Sequence, residues 1–70
     1  MERQSVSSSN LHSVGYDQES AVLEIKFKEG GVYQYSGVPL DRYERLMSAS
    51  SKGSYFASYI KNSYRCRKVG

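Results

Sequence analysis

Apolar and polar side chains alternate most cleanly over residues 21–28, where Leu23, Ile25 and Phe27 interleave with Glu24, Lys26 and Lys28. A period of two marks a strand with one buried face. The same pattern, more weakly, runs from Leu11 to Asp17, with Val14 and Tyr16 set against Ser13 and Gly15. Asp17-Gln18-Glu19-Ser20 separates the two strands as a turn. Val32 to Gly37 returns after Glu29-Gly30-Gly31, where glycine permits the positive φ that a tight hairpin needs. Beyond Gly37 the period becomes helical. Pro39 suits a first helical turn, Asp41 and Glu44 lie near its positive end, and Leu40, Tyr43, Leu46 and Met47 share one face. Ser50 or Ser51 can cap a second helix whose apolar side holds Tyr55, Phe56, Tyr59 and Ile60. The polar, Ser-rich start predicts a frayed segment over residues 1–4, with a short edge strand near Val6. Together these elements predict one α+β domain spanning residues 1–70. Its form is a three- to four-stranded antiparallel β-meander followed by two α-helices packed on one face.

Hairpin register decides where Tyr33 and Tyr35 point. A two-residue Gly30-Gly31 loop pairs Lys28 with Tyr33 and Lys26 with Tyr35, which exposes both rings on a basic face. A three-residue loop of Glu29, Gly30 and Gly31 pairs Phe27 with Tyr33 and Ile25 with Tyr35, which buries them. The first option puts Gln34 and Ser36 on the core face, a poor use of a small core, so the pattern favours burial. Composition points the same way. With 70 residues and seven tyrosines, tyrosine has to supply core volume, its hydroxyl reaching for water or a partner.

Charge is distributed unevenly. The net charge is +3, yet residues 1–44 hold four basic and seven acidic side chains. Residues 45–70 hold six basic ones (Arg45, Lys52, Lys61, Arg65, Arg67 and Lys68) and no acid. A one-ended field of this kind suits a polyanion or an acidic protein surface.

Several chemistries find no support. The single cysteine, Cys66, excludes an intrachain disulfide and a Cys-rich zinc site. His12 has no second imidazole to share a metal and no nucleophile set beside it. No serine lies in a Gly-x-Ser-x-Gly elbow, and Gly53 lacks a phosphate-cradling glycine loop, so it predicts close packing at the start of the second helix. No run approaches the roughly 20 apolar residues that span a bilayer, and the first residues lack an apolar signal core. The expectation is a cytoplasmic binding module with no catalytic, cofactor or metal residues.

Four stretches carry a family resemblance: Ser13-Val14-Gly15-Tyr16-Asp17, Gly31-Val32-Tyr33-Gln34-Tyr35, Val38-Pro39, and Ala49-Ser50-Ser51-Lys52-Gly53-Ser54-Tyr55-Phe56. They resemble the KTSC domain, named for a C-terminal extension of some lysyl-tRNA synthetases and found also as small free-standing bacterial and phage proteins. The likeness covers roughly residues 5–69 and includes a central Tyr-x-Tyr. It implies RNA binding through the synthetase context. Members often carry Pro and an aromatic after the tyrosine matching Tyr64; here Arg65 and Cys66 stand there, which makes the tail more basic.

The candidate nucleic-acid-binding residues are therefore Lys61, Tyr64, Arg65, Arg67 and Lys68. On a helix continuing past residue 60, Lys61, Arg65 and Lys68 would share a face. An exposed Tyr64 would stack on a base while the cations meet phosphates. The expected partner is RNA or another polyanion; the alternative is an acidic protein surface, met by an adaptor of bacterial or phage origin.

Overall fold

The computed structural model describes residues 1–70. Five antiparallel strands form one sheet in the order of the chain: β1 (Gln4–Ser5), β2 (Leu11–Asp17), β3 (Val22–Phe27), β4 (Val32–Ser36) and β5 (Arg65–Lys68). Two helices, α1 (Leu40–Ser48) and α2 (Lys52–Tyr59), follow β4 and cover one face. The α+β meander with a helical pair is as the alternation predicts. The sheet is wider because the tail, expected to be helical, forms its fifth strand.

Strand geometry explains the core. Side chains two apart share a face, so Leu23 and Ile25 point at the helices with Tyr35 and Val14, and all four are buried. Leu11, Val38, Leu46, Phe56 and Ile60 complete that core. Phe27, Tyr33, Tyr43, Met47, Tyr55 and Tyr64 pack around it half-buried. Tyr16 ties two layers together: it stacks on Tyr43 of α1, centroids 4.6 Å apart, and its hydroxyl donates to the Val38 carbonyl at 2.6 Å.

The β3–β4 hairpin settles the register. Ile25 pairs with Tyr33 and Leu23 with Tyr35, so the ladder is displaced by two residues from the three-residue loop considered above. The Phe27 amide donates to the Gly31 carbonyl, and Gly30 and Gly31 both take positive φ. A shift of two preserves the face, so Tyr35 is buried and Tyr33 half-buried, as the scarcity of core residues requires.

Two close approaches fix the β1–β2 side of the sheet. Ser51 caps α2, its hydroxyl accepting from the Ser54 amide. A Cβ on Gly53 would collide with Oδ1 of Asn10, so glycine lets the Ser8–Asn10 loop rest on the first turn of α2. The chain start is pinned too. Gln4 pairs with Val14, and Arg3 reaches over Gly15 to Glu24 on the face away from the helices. A Cβ at Gly15 would lie 2.6 Å from the Glu2 carbonyl oxygen. Because that atom is backbone, Gly15→Ala is expected to lift β1 and cost about 1 kcal/mol. Urea unfolding and amide exchange at Val6, whose amide donates to the His12 carbonyl, measure this; unchanged exchange would mean that the approach of the chain start is not needed.

Candidate nucleic-acid interface

Helix α2 stops where its sequence loses apolar spacing. Buried Ile60 closes it, with the Ile60 and Lys61 amides both donating to the Phe56 carbonyl. The Ser63 amide donates to Ile60, and this turn reverses the chain into β5. β5 then pairs with β4: Arg65 with Ser36, Cys66 with Tyr35, Arg67 with Gln34 and Lys68 with Tyr33. Val69 and Gly70 continue the bonding to Val32.

This topology corrects the helical reading of the tail. Lys61, Arg65 and Lys68 do not share a helix face. Arg65 and Arg67 project from the face away from the helices, beside Ser36 and Gln34. Cys66 and Lys68 project to the helix side, beside Tyr35 and Tyr33, and Lys61 stands across from them at the end of α2. The sheet edge is thus a ridge with cations on both flanks. All four side chains are exposed. The only ion pair in the structure joins Arg3 to Glu24, so none of the four has a carboxylate partner.

The aromatics are also rearranged. Tyr64, expected as an exposed stacking ring, packs half-buried against the core. Tyr59, expected on the buried side of α2, is 51% exposed. Its ring packs on Tyr55, centroids 4.7 Å apart, and the Arg42 guanidinium lies 5.3 Å from its centroid. Arg42 also donates to the Tyr55 hydroxyl at 3.1 Å. Hydrogen bonds to Tyr55 and then to Tyr64 raise the guanidinium pKa further above its ordinary value. Sequence periodicity missed this cluster because its two tyrosines follow the helical spacing of a core.

Between α2 and the β4–β5 edge lies a groove of about 520 Å³. Phe27, Tyr33, Tyr35 and Phe56 form its aromatic lining, and Lys61, Cys66 and Asn62 contribute from the turn and from β5. Phe56 meets Phe27 and Tyr35 edge to face, with centroids 5.5 and 5.3 Å apart. Burial first, and then a hydrogen bond with the Cys66 thiol, push the Tyr35 hydroxyl well above the ordinary tyrosine range. It stays protonated at any physiological pH. His12 is exposed, its Nδ1 within 3.1 Å of the Ser13 hydroxyl, and it lines no part of this groove. No three His, Cys, Asp or Glu side chains gather as a metal site, and no helix is long and apolar enough to cross a membrane.

Residues 7–64 match the KTSC domain. The chain belongs to the KTSC domain family. The crystal structure of a KTSC domain protein from Yersinia pestis is similar over 99% of this chain and 97% of its own, with 51% identity and a TM-score of 0.96. An uncharacterized protein of Stutzerimonas stutzeri is 39% identical over 61 residues, which are 87% of this chain and 86% of that one. A lysine–tRNA ligase of Trichormus variabilis is 40% identical over 54 residues, 77% of this chain and 10% of the ligase. A KTSC domain thus stands as nearly a whole small protein in some relatives and as a minor segment of a ligase in others. The matched segment ends at Tyr64, so the basic strand β5 lies outside it.

Proposed function

We propose that this KTSC domain is a non-enzymatic module that binds single-stranded RNA by its phosphates along β5. Arg65 and Arg67 serve on one flank of the edge, Lys61 and Lys68 on the other. The observation that carries this is the ridge itself: four exposed cations without carboxylate partners on one strand and the turn before it. Phosphate contacts of this kind bind without reading sequence. Similarity to part of lysine–tRNA ligases supports a nucleic-acid setting. An exposed single thiol suits a reducing compartment such as the cytoplasm.

Four phosphate contacts imply a log–log salt slope of about −3, at roughly −0.7 per contact on a single strand. Affinity should then fall about 60-fold between about 50 and 200 mM salt. Arg65→Ala and Arg67→Ala should each make the slope shallower by about 0.7. Tyr64→Ala should lower stability and leave the slope unchanged, since the ring packs inward. A fluorescence-anisotropy salt titration on one unstructured RNA measures all four proteins. No binding at about 50 mM salt would exclude the RNA assignment, because electrostatic association is strongest there.

A second partner class is favoured by one observation. β5 closes the sheet order, so its outer edge presents unpaired backbone groups that an extended acidic peptide could join as a sixth strand. Capture of a partner that survives nuclease treatment, together with absent RNA binding, would assign the ridge to a protein.

A further inference from the structure

The groove beside the ridge has chemistry that phosphate binding alone does not use. We propose that it receives one unstacked nucleobase of the bound strand, preferentially a base with an exocyclic amino group, while Lys61 and Lys68 hold the adjoining phosphates. The proposal rests on the RNA assignment above and deepens it.

Three features point to a base. The volume, about 520 Å³, lies within the range of small-ligand sites. The walls are aromatic: Tyr33 and Phe27 meet edge to face at 5.6 Å, and Phe56 packs on Phe27 behind them. A planar base stacks on such rings whatever its sequence. The rim carries groups that fit the edge of a base. Asn62 offers both donor and acceptor, Asn10 lines the rim with its Oδ1 already accepting from the Ser8 hydroxyl, Tyr35 keeps its proton, and Glu29 is the one carboxylate present. Glu29 can accept from the amino group of cytosine, the known partner of a carboxylate in base recognition.

Cations stand where the strand's backbone has to pass. Lys61 lines the groove from the end of α2. The Lys68 side chain runs toward Gly31, its Cε 3.7 Å from where a Cβ on that glycine would be, beside the Tyr33 ring. A strand with phosphates on Arg65 and Arg67 would cross the β5 edge and meet this second pair on the other side. The base follows the backbone over the edge and into the groove.

The test compares a short oligocytidylate with an abasic oligomer of equal length and charge. Losing one stacked base should cost roughly tenfold in affinity or more, with the salt slope the same for both. Cys66 lies in the groove as the sole, exposed thiol, so alkylation by iodoacetamide reports occupancy. Saturating oligocytidylate should slow that reaction several-fold, and saturating abasic oligomer should not. Tyr33→Ala should abolish the preference for the base-bearing strand. Because that change touches the core, Ala57→Gln serves beside it, adding uncharged bulk at an exposed helix position on the groove wall. It should reduce oligocytidylate binding to the abasic level while leaving abasic binding unchanged. Equal affinity for the two oligomers, or unprotected Cys66, would overturn the base site while leaving phosphate binding standing. Failure of both oligomers to bind would overturn both assignments.

Discussion

Phe56→Ala is expected to cost about 3–5 kcal/mol, as large aromatic truncations in packed cores do. At 70 residues the whole domain has roughly 4–10 kcal/mol of stability. The change would therefore remove about half of it. Phe56 is buried, projects from α2 into the sheet, and joins Phe27 and Tyr35 through edge-to-face contacts. Phe27 is half-buried at the end of β3, so Phe27→Ala should cost less, about 2 kcal/mol. Urea denaturation of both variants gives the ranking. If Phe27→Ala proved the more damaging, the centre of the core would lie at the hairpin and not under α2.

The sequence shows the core more fully than it shows the interface. Spacing alone places Leu23, Ile25, Phe27, Tyr35, Leu46, Phe56 and Ile60 inside, since burial of apolar surface imposes the periods of strand and helix; all are buried except Phe27, which the end of β3 leaves half-buried. Tyr33 and Tyr35 follow from the same constraint, even though the hairpin loop sits one residue earlier than the glycines suggest. Loop position depends on φ at Gly30 and Gly31, and either glycine can take the special conformation. The face is constrained by hydrophobicity; the register is not.

The tail lacks that constraint. Arg65-Cys66-Arg67-Lys68 has no apolar pattern, and Lys61, Arg65 and Lys68 satisfy helical spacing by coincidence. What makes the segment a strand is the free edge of β4, a partner far away in sequence and invisible in local spacing. Tyr59 shows the complementary error. Its spacing from Tyr55 imitates a core pair, but a helix of eight residues against a small sheet buries only a narrow stripe, and Phe56 and Ile60 fill it. The residues available for recognition are therefore those that periodicity assigns poorly. The candidate residues Lys61, Arg65, Arg67 and Lys68 remain together on one ridge, though divided between its flanks.

Arg3→Ala should destabilise the domain by about 2–4 kcal/mol at neutral pH, and the penalty should shrink on acidification. Glu24 lies on the face away from the helices, almost wholly buried between Gly15 and Gln34 of the flanking strands and paired with Arg3. Arg3 Nη1 donates to one carboxylate oxygen, and Gln34 Nε2 donates to the other at 2.8 Å. Burial pushes the Glu24 carboxyl up, but the hydrogen bonds from Gln34 and Arg3, with the charges of Arg3 and the chain's amino terminus, outweigh it and hold it below its ordinary value. Without Arg3, burial dominates and a poorly compensated carboxylate remains. The cost stays below that of a fully enclosed pair because the Arg3 side chain is 28% exposed. A carboxyl whose pKa is lowered by folding stabilises the fold above its unfolded value of about 4.3, and that contribution is lost as pH falls through the folded value. In the variant the carboxyl is no longer held down, so protonation relieves its burial instead of removing a favourable pair. The two proteins should therefore converge in stability as pH falls through the lowered folded value of Glu24, with the other carboxylates contributing equally to both. Urea unfolding of wild type and Arg3→Ala at several pH values between about 3 and 7 measures the difference. A difference that stays constant across that range would show that Arg3 acts by packing over Gly15 and β1 rather than by neutralising Glu24.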